Sequence, residues 1–284
     1  MAKAPKAVVL GRILRREREE RGIGLREFAG RVDRDPAALS RWETGERIPK
    51  PEDVARILTV LGIGGQRYTE VMTLVHGAGE SHWLALSSTE HRQQVAAFGE
   101  YERSAKVIHT VSPLLIPGIL QVTDYISAIM SEGGLPPEQA AANVARRVAR
   151  RAVLGGPEPA RLVALIGQAA LHQEVGGRAT MVAQLRHLVD VARLPNVELR
   201  VVPFGRGWHP ALEGPFCLME SDSLPPGVFL ELRRTAVWLH SAEDVAVYRA
   251  AVDGVTRAAL SEQGSLRLIA DLLRRAEADL PVPA

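Results

Sequence analysis

Between residues 26 and 50 the chain carries side chains suited to gripping and reading a nucleic acid. The candidates include Arg26, Arg34, Arg41, Arg47 and Lys50, and among them runs Asp35-Pro36-Ala37-Ala38-Leu39-Ser40. Arginine offers a planar fork that pairs with O6 and N7 of guanine in the major groove, and Arg and Lys also neutralise phosphates. Small residues let a helix come close to base edges, and an alanine methyl suits the methyl group of thymine. Asp is a preferred helix cap, and Pro fits the first helical position. The spacing therefore predicts a helix opened by Asp35-Pro36 whose first turns expose Ala37, Ala38, Ser40 and Arg41. Arg41 is the expected base reader, and Ala37 is placed to meet a thymine methyl. Arg34, Ser40, Arg47 and Lys50 flank the helix and are expected at phosphates. Arg26 adds a phosphate contact beside the positive end of the preceding helix. For each cation the alternative is an ordinary solvated surface residue.

Those side chains need a scaffold, and the apolar periodicity supplies one. Leu10, Ile13 and Leu14 fall on one side of a helix expected over 8–21 and stopped by Gly22. Leu25, Phe28, Ala29 and Val32 mark a second helix. In the third, Leu39 and Trp42 stand three residues apart and face inward, which makes Trp42 a core residue rather than a stacking platform. Gly45 ends it. A fourth helix over 52–61 carries Val54, Ile57, Leu58 and Leu61, and a fifth spans 67–75. Residues 1–8, polar and containing Pro5, are expected to form a mobile arm. The module proper is placed at 9–66, a linker helix and hinge at 67–83 with HGAGES (76–81) as the hinge, and a larger body at 84–284.

Residues 9–63 resemble a helix-turn-helix of the lambda-repressor/Cro (XRE) family. LGRILRREREERG, LREFAGRVDRDPAALSRWETGER, a proline-containing loop and a helix ending in LGI carry the resemblance. It implies a module that binds double-stranded DNA as a homodimer on paired half-sites about 34 Å apart. It also implies that Glu43 pairs with Arg18 across the module; the alternative is a loose surface pair worth under about 1 kcal/mol. Leu25 departs from the family, which usually has a polar residue there, often Gln, and one expected backbone or base contact is lost with it.

The body reads as helices interleaved with strands. Helical patterning covers 90–105, 123–130, 137–153, 180–193, 245–260 and 265–280; strands are expected at 161–167, 197–202, 216–220, 228–232 and 236–240. Pro113, Pro117 and Gly118 interrupt the stretch TVSPLLIPGILQ. The fold class expected is an N-terminal all-α helix-turn-helix domain of about five helices followed by a larger α+β domain. The search for catalytic groups is thin. Cys217 sits in an apolar run and reads as packing, Ser112, Ser221 and Ser223 lie in no nucleophile-elbow context, and the eight His show no pair at metal-ligand spacing on a helix. Glu213 and Glu220 bracket one strand, which is weak evidence. No enzyme activity, metal or cofactor is expected.

His209 is the residue to mark in the body. It follows a strand in the loop PFGRGWHPALEG, and loops at strand ends are where ligands tend to sit. Arg206, Trp208, His209 and Glu231 are the expected lining of a ligand pocket; the alternative is a solvent-facing loop with a packed Trp. The turn at 116–121 is either a second wall of that pocket or a tight corner between helices.

From about residue 84 to 269 the chain also resembles the domain of unknown function found behind a helix-turn-helix in actinobacterial regulators of the Scr and WhiJ type. PLLIPGILQVTDYISAIM, VGGRATMVAQLRHLVDVARLPNVELRVVPF and GWHPALEGPFCLME carry it. The resemblance implies a transcriptional regulator whose gene often lies beside one for a small partner protein, in an arrangement likened to a toxin–antitoxin pair. The family often has an acidic residue where Gln168 stands.

Composition sets the frame. The 284 residues are 46% hydrophobic, 24% charged and only 5% aromatic, so the core is mostly aliphatic. The net charge of +2 is uneven: residues 1–75 hold 15 Lys/Arg against 11 Asp/Glu, and the remainder 20 against 22. A basic head on a slightly acidic body suits phosphate contact. No apolar run is long enough to span a membrane, no signal-peptide pattern opens the chain, and a single Cys cannot form an internal disulfide. A cytoplasmic protein with no membrane partner is expected.

Overall fold

The computed structural model describes residues 4–76, 79, 82–134, 136–233 and 235–279. In chain order the helices and strands are α1 (Pro5–Glu19), α2 (Leu25–Arg31), α3 (Pro36–Glu43), α4 (Pro51–Val60), α5 (Gly65–Val75), β1 (His82–Leu84), α6 (Ser88–Ser104) and β2 (Val107–Ser112). They continue with α7 (Thr123–Glu132), α8 (Pro137–Ala149), β3 (Arg161–Gly167), α9 (Gly177–Val191), β4 (Val197–Val202), β5 (Phe216–Glu220), β6 (Gly227–Glu231), β7 (Ala236–Leu239), α10 (Ala242–Ala258) and α11 (Glu262–Ala278). The fold is a bundle of N-terminal helices followed by an α+β body. Among the described residues no helix is long and apolar enough to cross a membrane.

The chain divides into two compact units, Met1–Ser104 with Glu220–Val245 and Ala105–Met219 with Ala246–Ala284. In the first, α1 packs against α3, α5 and α6, and α2 packs against α3. Prolines open α1, α3 and α4 at the first turn, where the missing N–H costs nothing. The mobile arm expected over 1–8 is replaced by helix from Pro5 on, with Pro5, Ala7 and Val8 buried. Lys6 explains part of this, since its Nζ donates to the His76 carbonyl at 2.5 Å and lies 5.7 Å from the centre of the Trp83 ring. The hinge expected at 76–81 falls largely outside the described residues.

Strands β1, β7 and β6 form an antiparallel set in that order, with Trp83 opposite Trp238 and Phe229 opposite Trp238 on its other side. The scarce aromatics are concentrated here. Tyr101 and Phe229 lie 4.7 and 5.1 Å from Trp238 between ring centres, and Phe98 lies 4.8 Å from Phe229. Gly227 permits this, because a β-carbon there would stand 2.9 Å from the Trp238 ring. Burial pushes the Tyr101 phenol well above its ordinary range.

In the second unit the strand order is β5-β2-β3-β4, with β2, β3 and β4 parallel. Parallel neighbours need crossover connections, which α7 with α8 and then α9 supply. Residues 162–166 of β3 are buried at every position, as in a central parallel strand covered on both faces. Helix α11 packs on β4 and α9, and the buried Ser265 hydroxyl accepts from the Val201 N–H at 2.8 Å. The turn at 116–121 is a tight corner: buried Gln184 accepts from the Val122 N–H and donates to the Leu120 carbonyl, both at 2.8 Å.

Two strands were not expected from the sequence. β1 has only three residues, too short for a period to register. In β2 the buried residues are Ile108 and Val111, three apart instead of two, so the alternation that marks a half-buried strand is missing. The helix expected over 137–153 closes at Ala149 and continues as a 3-10 turn over Arg150–Leu154.

Candidate nucleic-acid interface

The third helix is held from its first turn. Asp35 is extended at the cap position, and one carboxylate oxygen accepts from the N–H of Ala37 at 2.8 Å and of Ala38 at 3.2 Å. These are two of the donors a helix start leaves without partners. Leu39 and Trp42 are buried beneath. Asp35→Ala should lower the stability of the N-terminal module by about 1 kcal/mol, read from its urea midpoint; a change near zero would show that the cap is not worth its geometry.

The turn between α2 and α3 is a Schellman closure. The Asp33 N–H donates to the Gly30 carbonyl at 3.3 Å and the Arg34 N–H to the Ala29 carbonyl at 2.9 Å. Asp33 takes the left-handed conformation, φ 53°, the only such non-glycine among the described residues.

Behind the helix, Arg18 and Glu43 lock α1 to α3. Nε and Nη2 of Arg18 donate to the two oxygens of Glu43, each at 2.7 Å, and the side chains are 7% and 5% exposed. A third bond from Nη1 reaches the Ile23 carbonyl at 2.8 Å. The Glu43 hydrogen bonds raise the Arg18 pKa, so the guanidinium stays charged. This is a buried bidentate pair, not a loose surface one. The same two helices meet backbone to backbone at Gly11, where a β-carbon would stand 2.3 Å from the Trp42 carbonyl oxygen.

The cations of the module sort into two groups. Arg12, Arg15, Arg16, Arg18, Arg21, Arg31, Arg34, Arg56 and Arg67 each have a carboxylate within ion-pair distance. Arg34, expected at a phosphate, is turned back onto Asp53, whose Oδ1 accepts from its Nε at 2.7 Å and its Nη2 at 2.5 Å. That bond ties the start of α3 to the first turn of α4. It spans 19 residues of sequence, a separation with no periodic signature.

Arg26, Arg41, Arg47 and Lys50 form the second group. All four are exposed, and no side-chain hydrogen bond or ion pair engages them among the described residues. Ala37 is exposed as well, and Pro36, Ala38 and Ser40 are half-buried. Arg41 and Arg47 are close in the chain fold, since the Arg47 N–H donates to the Arg41 carbonyl at 3.0 Å. Chemically this is a helix with small residues at its start and uncommitted donors on and around it, the features needed to approach base edges and phosphates.

Of the residues singled out in the body, three are on one connection and the fourth belongs to the other compact unit. Arg206 and Trp208 are exposed in the loop after β4, while His209 is 8% exposed with its Nδ1 buried and without a partner. Glu231 is exposed at the end of β6, in the other compact unit. Trp208 does not pack: it is 73% exposed, and Phe204 and Leu212 on the same connection are 64% and 61% exposed. The connection is pinned at one end, where the Phe204 N–H donates to Gln168 Oε1 at 3.0 Å.

Comparison with known proteins gives two matches. Residues 9–69 match a helix-turn-helix domain, and residues 95–271, more than half of the chain, match a domain of unknown function, DUF5753. No curated protein and no solved structure matches.

Proposed function

Because the chain belongs to the DUF5753 family and carries a helix-turn-helix domain ahead of that region, we propose that it is a sequence-specific DNA-binding transcriptional regulator of the lambda-repressor/Cro type. The observation that carries this reading is the sorting of charge: nine arginines of the module have a carboxylate within ion-pair distance, the weakest being Arg16 in an exposed 3.6 Å pair, and the four cations without one among the described residues are on or next to α2, α3 and the start of α4. Arg41 reads a base, and Arg26, Arg47 and Lys50 hold phosphates. Arg34 acts inside the module, through Asp53.

The reading extends to a homodimer on paired half-sites, because one short helix makes too few contacts for tight binding. The body behind the module takes a signal, a ligand or a protein, that decides when α3 reaches DNA. Footprinting on the DNA upstream of the protein's own gene tests this: two protected half-sites about one helical turn apart are expected, and uniform protection without a site would overturn it.

Lys50→Ala should weaken binding to all sequences alike and reduce the slope of log affinity against log salt by about one. An unchanged slope would remove Lys50 from the phosphate contacts.

A further inference from the structure

We propose that the cleft between α1, α5 and α6 is a binding site for a small organic anion that also carries an N–H or O–H donor. The cleft lies within the first compact unit and holds about 480 Å³, in the range of metabolite pockets. Val9 and Ile13 of α1 and Ala96 of α6 give it apolar surface. Arg16 stands on one wall and Arg92 on the other.

The charges lining it do not balance. Four arginines face two glutamates: Arg12 is taken by Glu100, and Arg67 by Glu17 at 2.8 Å with Glu70 at 3.5 Å. Arg92 donates only to the Thr89 hydroxyl, at 3.0 Å, and no carboxylate engages it among the described residues. Among the described residues Arg16 has only Glu20, 3.6 Å away in an exposed pair that solvent screens. Burial lowers the Arg12 pKa, and the charge of Arg103 lowers it further.

Gln93 supplies the second requirement. Its Nε2 donates to the Glu70 carbonyl at 2.9 Å, while its Oε1 is buried without a partner. A buried acceptor left unmet is destabilising, and Gln93 lines the cleft, so a turn of its side chain would bring the oxygen to a donor on a bound molecule. The site therefore suits a phosphate or carboxylate between Arg16 and Arg92, an apolar body on Val9, Ile13 and Ala96, and a donor at Gln93.

The placement gives occupancy a consequence. Val9, Arg12, Ile13 and Arg16 of α1 and Arg67 of α5 lie in the residues matched to the helix-turn-helix domain, while Ala96 and Glu100 lie in those matched to DUF5753. A molecule held there touches both matched regions, and an effect on DNA affinity rests on the function proposed above; the binding itself does not.

Calorimetry on the full chain with three probes tests the site: 4-aminophenyl phosphate, phenyl phosphate and inorganic phosphate. Saturable binding is expected, about tenfold tighter for 4-aminophenyl phosphate than for inorganic phosphate. Arg92→Gln and Arg16→Gln, both at exposed positions, should each weaken it about tenfold with melting unchanged. Gln93→Leu should abolish the preference for the amino compound over phenyl phosphate. Absence of saturable binding by the folded wild type overturns the proposal. So does binding that survives Arg92→Gln, or binding lost on Lys50→Ala, which would place the anion at α3. A protein that binds the probe but finds no DNA site would leave this inference standing and sink the regulator.

Discussion

Glu43→Ala should cost the N-terminal module about 3–5 kcal/mol. The reason is asymmetric. The pair itself adds little over a well-packed apolar contact, because both charges were taken out of water to form it. Removing one partner leaves the Arg18 guanidinium at 7% exposure with two of its three hydrogen bonds gone. Such a loss is comparable to much of the stability of a small domain, so α3 should be poorly formed at room temperature and specific DNA binding absent. Urea unfolding followed by circular dichroism reads the effect. Arg18→Met with Glu43→Leu should recover most of it, while Glu43→Leu alone, which refills the space but leaves the Arg18 charge unpaired, should not. A loss under about 1 kcal/mol for Glu43→Ala would mean the pair behaves like a surface one.

Arg41→Ala should remove about 1–3 kcal/mol of discrimination at one base pair of the site while leaving the fold intact. Arg41 is exposed and its side chain has no partner among the described residues, so nothing in the protein depends on it. The measurement is a set of affinities for the natural site and for sites changed at each position in turn. Sensitivity should vanish at one position and persist at the others. Equal weakening on every sequence would make Arg41 a phosphate contact and leave base reading to Ser40 and the alanines.

What the sequence made legible follows from the range of each interaction. Local signals read well: the Asp35-Pro36 opening fixes where α3 begins, and its cap geometry is as short-range as a cap must be. β3 and β4 stand at 161–167 and 197–202 because a continuous apolar run bounded by turns needs no partner to be recognised. Long-range bonds did not read. Nothing in the spacing of Arg34 and Asp53 announces that one will consume the other, and so Arg34 looked as available as Lys50. β2 failed for a related reason: its burial is set by neighbours on either side, not by an alternation of its own. Around His209 the sequence left two readings of the loop, and the structure divides them, with the histidine buried and Trp208 out in solvent. The Arg18–Glu43 pair was suggested by resemblance alone; that it is buried and bidentate is visible only in three dimensions.

Gly11 gives the module a mechanical property. With no side chain between them, α1 and the end of α3 bear directly on each other's backbone, and the Arg18–Glu43 fork clamps them a few residues further along. Soft side chains absorb small displacements by changing rotamer; a backbone seam has none to change. A shift of α1 therefore bears directly on α3, and α1 is also a wall of the cleft described above. On the function and the site proposed above, occupancy of the cleft would then reach the angle at which Arg41 meets DNA through this seam.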